Sequence, residues 1–307
     1  MPVAFVTHPD CLRHEMGEGH PEAPARLRAI EAQLNYSDVG RKLLRAEAPL
    51  VTRAQLERVH AKGYLDWIEG IAPARGEVQI DPDTTMNPHT LRAAQRSAGA
   101  AVLATDLVIS GRASAAFCSV RPPGHHAERA TAMGFCFFNN VAVAVAHALE
   151  EHELQRVAVV DFDVHHGNGT EDIFRDDERV MMVSTFQHPF YPNSGFDGRS
   201  ERMVNVPLAE YSPASEFRAA VTGDWLPALE RFKPQMLFVS AGFDAHRDDE
   251  MAMLQFTDPD YVWVSQQIKA VAARHAQGRI VSLLEGGYEL RSLARCVVHH
   301  LEVLAAP

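Results

Sequence analysis

The stretch DFDVHHGNG, Asp161 to Gly169, comes directly after the apolar run RVAVV, Arg156 to Val160. Carboxylates and imidazoles at the end of a buried strand lose their water, which is costly unless they are paired or bind a metal. The segment therefore calls for an ion, or for a polar network that other parts of the chain complete. Runs of the same apolar kind recur as VAFVT from Val3, SAAFCSV from Ser114, VMMVSTF from Val180, QMLFVSAGF from Gln235 and RIVSLLEGG from Arg279. They are continuously apolar rather than alternating, the pattern of interior strands covered on both faces. Between them lie helical patterns: HTLRAAQRSAGAAVLATDLVI, NNVAVAVAHALEEH, SEFRAAVTGDWLPALERF and PDYVWVSQQIKAVAARHA. Alternation of strand and helix predicts the α/β class, with a parallel sheet between helical layers. The polar segment IDPDTTMNPHT, Ile80 to Thr90, has two prolines and reads as a surface loop before a long helix. No composition shift, linker or repeat divides the chain, so residues 1–307 read as a single domain.

Composition narrows the function. With 46% apolar residues over 307 positions the chain can bury one large core. Its 29 basic and 40 acidic side chains give a net charge of -11, and no basic stripe is present, which argues against a nucleic-acid binder. An acidic surface suits cationic ligands better. The four cysteines, Cys11, Cys118, Cys136 and Cys296, make no C-x-x-C pair and read as reduced thiols rather than a structural zinc site. The apolar run at the N-terminus is too short for a signal sequence or a membrane span, so a soluble, cytoplasmic protein is expected.

In open α/β sheets ligands bind beyond the carboxyl ends of the strands. The polar clusters fall there. RPPGHHAE, with His125 and His126, follows one strand, and Asp161, Asp163, His165 and Asn168 follow the next. Asp244 follows QMLFVSAGF, and Tyr288 follows RIVSLLEGG. Asp163 and His165, two apart on an extended segment, are expected to face the same way. With Asp244 they make three ligands and leave a position open, the pattern of a catalytic zinc, although ferrous iron accepts the same donors. A blander reading makes Asp163 a turn cap and His165 a satisfied core histidine. His125 and His126 would then act in proton transfer, one imidazole held by Asp161 and the other by Asn168. The alternative for them is a turn with solvated rings. Tyr288, aimed by the glycines before it, is placed to donate to an oxyanion, unless it serves only in packing. Together these groups predict metal-assisted hydrolysis of a carbonyl derivative, and G-x-S-x-G, the sign of a serine nucleophile, is absent.

The motifs RPPGHHA, GFCFFNN, VDFDVHHGNGT, SAGFDAH and EGGY resemble those of the zinc-dependent histone deacetylase and acetylpolyamine amidohydrolase superfamily, its class II and bacterial members in particular. The resemblance runs from GHPEAPARL to EGGY, nearly the whole chain. It implies an arginase/deacetylase-like fold with an eight-stranded, mostly parallel sheet. It implies zinc on Asp163, His165 and Asp244, His126 as general base and acid, and His125 as its electrostatic partner. Asp161 and Asn168 would hold those rings, and Tyr288 would polarise the carbonyl. Phe135 and Tyr191, or Phe190 in place of Tyr191, would wall a narrow channel, with Met251 at its mouth. Potassium would lie beside the zinc, held in part by Asp161 and Ser184.

The implied substrate is an acylated amine, either acetyl-lysine in a protein or an acetylated polyamine, and the resemblance leaves an oligomer open. Two readings of another kind compete: a ureohydrolase of the arginase type, and a binding protein that senses an acylated ligand. The ureohydrolase needs a two-metal cluster, and the Asp244 strand end lacks the D-x-D for it. The acidic run Asp248, Asp249, Glu250 reads as a solvated face or as a steering surface for cations. His8, Cys11, His14 and His20 suggest a second metal site by type, and a rim loop by context.

Overall fold

The fold follows from how the apolar runs pair. The computed structural model describes residues 1–196 and 200–307. In chain order the strands are β1 (Ala4–Thr7), β2 (Leu44–Glu47), β3 (Val78–Asp81), β4 (Thr84–Met86), β5 (Ala116–Cys118), β6 (Val157–Asp161), β7 (Val180–Gln187), β8 (Met203–Leu208), β9 (Met236–Ala241) and β10 (Ile280–Leu284). The helices are α1 (Ala25–Asn35), α2 (Arg53–Leu56), α3 (Lys62–Ile71), α4 (Thr90–Ile109), α5 (Asn140–Glu150), α6 (Asn168–Phe174), α7 (Ala214–Ala220), α8 (Leu226–Phe232), α9 (Asp258–His275) and α10 (Leu290–Ala305). A π-helical turn, Val221–Trp225, joins α7 to α8, so the segment read as one helix is continuous but locally widened.

Eight strands form one sheet in the order β2-β1-β5-β10-β9-β6-β7-β8, and every pairing in it is parallel. The six predicted strands are β1, β5, β6, β7, β9 and β10. Five of them are buried along their whole length, as apolar residues on both faces of a covered sheet require. The two strands the apolar-run criterion misses are the edges. LRAE in β2 alternates between intermediate and exposed, and β8 carries Asn205 and Pro207, a residue tolerated where one side of the ladder is open. Helices α1, α9 and α10 pack together, as do α4 and α5. The chain is a single α/β domain. No helix among the described residues is long and apolar enough to cross a membrane, and all four cysteines are buried free thiols.

The segment Ile80 to Thr90 departs from expectation. It is not a loop throughout: β3 and β4 pair antiparallel as a small second sheet, and Thr84, Met86 and Thr90 are buried. Thr84 is inward because its hydroxyl accepts the backbone N–H of Phe135 at 3.0 Å, so the hairpin is tied to the wall of the site described next.

Candidate active site and metal centre

Strands β5, β10, β9 and β6 are consecutive in the middle of the sheet, so the polar segments that follow them are brought to one place. Asp161 closes β6 and lies level with Ser184 of β7 and Ser240 of β9. Beyond it the strand has ended, so Asp163 and His165 sit on bends rather than on an extended face. They converge for a different reason: Asp163 Oδ1 accepts the His165 backbone N–H at 2.9 Å and lies 3.0 Å from its Nδ1. Asp244 Oδ2 is 3.2 Å from the same Nδ1, while its Oδ1 accepts the Val164 backbone N–H at 2.9 Å. Gly286 donates its N–H to Asp163 Oδ2 at 2.8 Å. A Cβ at Gly286 would lie 2.0 Å from Asp244 Oδ2, so the backbone can reach these carboxylates only as glycine.

The donor atoms of Asp163, His165 and Asp244 lie within 4.8 Å of one another, and all three side chains are buried. Asp244 Oδ2 is buried without a hydrogen-bond partner. Burial, with the charge of Asp163 beside it, pushes the Asp244 carboxyl above its usual range. Two buried carboxylates that share one imidazole are short of positive charge, and a divalent cation on these three donors is the species that supplies it. The residues fit a metal of the zinc class.

His125 and His126 stand next to this cluster and are 2% and 4% exposed. His125 Nδ1 meets Asp161 Oδ2 at 3.0 Å, and His126 Nδ1 meets Asn168 Oδ1 at 2.8 Å. Asn168 is fixed in turn, because its amide donates to Glu128 Oε1 at 2.8 Å. The two rings differ in basicity. Burial opposes charge on both, but Asp163, Asp161 and Glu285 outweigh it at His125 and hold its pKa up at about 10. At His126 burial wins, aided by positive charge on His125 and His165, and holds the ring well below the ordinary imidazole range.

A cavity of about 160 Å³ opens above these groups, lined by His125, His126, His165, Phe135, Phe190, Tyr191, Met251 and Tyr288 among others. Both wall candidates are present: Phe190 stacks on the His165 ring at 5.3 Å, and Tyr191 meets His126 edge-on at 5.2 Å. Phe135 adopts φ 68°, a left-handed conformation that a bulky residue takes only when its surroundings impose it. Thr84 binds its N–H, and His20 packs edge-on against its ring at 4.7 Å. Tyr288 faces Phe135 across the cavity with ring centroids 6.1 Å apart. The Arg26 guanidinium lies 4.9 Å over the Tyr288 ring, and its Nε donates to the Gly287 carbonyl at 2.6 Å.

Two important roles escaped the sequence reading. Glu285 directly follows β10, is buried, and through Oε2 accepts the backbone N–H groups of Gly124 at 2.7 Å and His125 at 3.1 Å. Burial pushes its carboxyl up to about 7. A carboxylate directly after an apolar strand was visible in LLEGG, the same signal that marks Asp161. Asp249 has the second. Within the acidic run it is 3% exposed, so the run is not uniformly a solvated or steering face. Its Oδ2 accepts the N–H groups of Tyr288 at 2.6 Å and Glu289 at 2.9 Å, and its Oδ1 that of Met251 at 3.0 Å.

His8, Cys11, His14 and His20 are not gathered into a metal-capable group among the described residues. His14 is buried against Thr90 Oγ1 at 2.8 Å, and His20 Nδ1 accepts the Glu22 backbone N–H at 3.1 Å, so both rings have structural partners.

Comparison with known proteins accords with this geometry. Residues 20–304 match the family model described as histone deacetylase domain. An uncharacterized protein of Synechocystis is 37% identical over 98% of this chain and 99% of its own length. A histone deacetylase-like amidohydrolase of Pseudomonas aeruginosa is 36% identical over 94% of this chain and 77% of its own. The crystal structure of the HDA15 HD domain superposes with a TM-score of 0.93 at 33% identity, covering 99% of this chain and 88% of that one. The parallel eight-stranded sheet, with its carboxylate and histidine cluster at the strand ends, thus belongs to a member of the histone deacetylase family, a family of metal-dependent hydrolytic deacetylases.

Proposed function

We propose that this chain is a zinc-dependent amidohydrolase that removes an acetyl or other short acyl group from an amine on an unbranched alkyl chain. The observation that carries the reading is the cluster of Asp163, His165 and Asp244 donors next to a cavity lined by His165 and by two further histidines held by different acceptors. The cavity of about 160 Å³ is smaller than the roughly 300–1,000 Å³ of pockets for drug-sized ligands, which favours a slender chain. Zinc, when bound, supplies a Lewis acid for the acyl carbonyl and lowers the pKa of water. His126, neutral and with Nδ1 tied to Asn168, takes a proton at Nε2 from the attacking water and returns it to the leaving amine. His125, paired with Asp161, remains cationic beside it and stabilises the negative charge that develops. The Tyr288 phenol donates a hydrogen bond to the oxyanion. Potassium is proposed beside β6, where the Ser184 hydroxyl is buried next to Asp161 in register and has no hydrogen-bond partner.

The test is acetate release from an acetyl-lysine peptide and from an acetylated polyamine, with a chelator control. Release from at least one of them that stops on chelation and returns with zinc is the expected result. Release that persists after complete metal removal would rule the mechanism out.

Asp249 enters this reading as a positioning residue, because it holds the backbone of Tyr288 and that of the channel residue Met251. Asp249→Ala leaves those N–H groups without their acceptor and is expected to lower stability by about 1–3 kcal/mol. Loosening of Tyr288 should also lower kcat on the order of 10- to 100-fold, since small displacements of catalytic groups have effects of that size. Thermal unfolding and steady-state kinetics measure the two effects separately. An unchanged kcat in a correctly folded variant would show that the Asp249 contacts do not aim the phenol.

A further inference from the structure

Away from the cavity, a second group of side chains has metal-binding character. Asp106 lies in the last turns of α4, His147 in the last turn of α5, and His152 two residues beyond the end of α5. The Nε2 atoms of the two histidines converge on one oxygen, Asp106 Oδ1, at 2.8 Å and 2.7 Å. Their rings are nearly perpendicular, with centroids 5.2 Å apart, so the two nitrogens approach the oxygen from different directions. One donor atom from each residue lies within 4.8 Å of the others, as in the Asp163, His165 and Asp244 cluster.

We propose that Asp106, His147 and His152 form a second divalent transition-metal site that ties the carboxyl ends of α4 and α5 together. The donor set is two imidazoles and a carboxylate, which suits zinc and its neighbours and leaves a position for water. Asp106 is 47% exposed at its side chain and His152 25%, so an ion and its water can enter from solvent. Both helices point their carboxyl ends, the negative ends of their dipoles, toward this place, which favours a cation there. His147 itself is buried, and its Nδ1 has no hydrogen-bond partner, so Nε2 is the ring nitrogen engaged at the cluster. Among the described residues the ion-pair partners of Asp106 are these two histidines, so no guanidinium or ammonium already fills the place. The contrast is His246, Asp258 and Cys296, a group of similar spacing in which Arg295 donates to both Asp258 oxygens at 2.8 Å and 3.1 Å and occupies the cation position.

The location separates this site from the deacetylase chemistry. Helix α4 leads to the start of β5 and α5 to the start of β6, so the carboxyl ends of both helices lie toward the amino ends of the strands. The catalytic cavity lies at the opposite ends. The second ion is therefore a structural one, a clamp between two packed helices.

The experiment is equilibrium dialysis of metal-stripped protein against Zn2+, with bound zinc counted per chain. The wild type, His152→Gln, Asp106→Asn and Asp244→Ala proteins are compared, together with the double variant Asp244→Ala/His152→Gln. The expected result is two zinc equivalents in the wild type, one in each single variant and none in the double variant. His152→Gln and Asp106→Asn should keep the full deacetylase rate. Adding Zn2+ to Asp244→Ala should also raise its Tm, and adding it to the double variant should not. A single equivalent in the wild type, or equal zinc in Asp244→Ala and in the double variant, would overturn the proposal and leave the trio as a hydrogen-bonded contact. Because the decisive comparison is made without the catalytic metal and reads zinc rather than turnover, failure of the deacetylase reading would not imitate it.

Discussion

His126→Ala is expected to lower kcat about 100- to 10,000-fold, the range supplied by a positioned general acid or base, while bound zinc remains at the wild-type level. The expectation rests on three features. The ring is buried at the cavity floor, its far nitrogen is held by Asn168, and burial with the positive charge of His125 beside it keeps it in the neutral form that accepts a proton. None of its contacts is to the metal-binding carboxylates, which are bridged by His165 and by backbone N–H groups. Tyr288→Phe belongs to the same expectation, because it removes one hydroxyl and leaves the ring contacts with Phe135 and Arg26 in place. Its turnover should fall on the order of 100- to 1,000-fold, as for loss of one oxyanion donor. Rates are measured alongside metal content by elemental analysis. Wild-type turnover in either variant would remove that residue from the mechanism, and loss of zinc in His126→Ala would make its role structural instead.

What was legible in the sequence followed from burial. A strand covered on both faces must be apolar throughout, so β5, β6, β9 and β10 stood out, and most of the polar groups behind them stood out with them, Glu285 behind β10 being the exception. That one of the two histidines would pair with Asp161 and the other with Asn168 could be expected because a buried imidazole needs an acceptor for its second nitrogen, and the structure assigns His125 to Asp161 and His126 to Asn168. Edge strands β2 and β8 were not legible, because an edge relaxes the demand for apolar residues and tolerates Pro207. The β3–β4 hairpin was read as a loop because prolines and aspartates mask its pairing, and what stabilises it is remote: Thr84 holds Phe135, which is 51 residues away. Asp249 was hidden for the same reason. In the sequence it stands between two acidic neighbours, and only the approach of the Tyr288 backbone, 39 residues away, gives its carboxylate something to bind.

Asp244→Ala should act on the metal itself. With this carboxylate gone, two protein donors remain, and zinc affinity should fall by more than about 100-fold, since loss of a partner that merely orients a ligand already costs about 10–100-fold. Deacetylase activity at limiting zinc should disappear with it. Stability separates this effect from damage to the fold. In the metal-free protein the substitution has two opposed consequences: the Val164 N–H loses its acceptor, worth about 1–3 kcal/mol, while the crowding of two buried carboxylates is relieved. The unloaded wild type and variant should therefore melt close together. Loaded protein should differ, because an ion that binds only the folded state adds RT ln(1 + [L]/Kd), about 2.7 kcal/mol at a hundredfold excess over Kd. Chelation should lower the Tm of the wild type by more than that of Asp244→Ala, and Asp244→Asn, which keeps an oxygen able to accept the Val164 N–H, should retain the unloaded Tm while binding zinc weakly. Full zinc occupancy and turnover in Asp244→Ala would mean that the metal is held elsewhere. An equal loss of Tm with and without zinc would mean that Asp244 serves the fold rather than the ion.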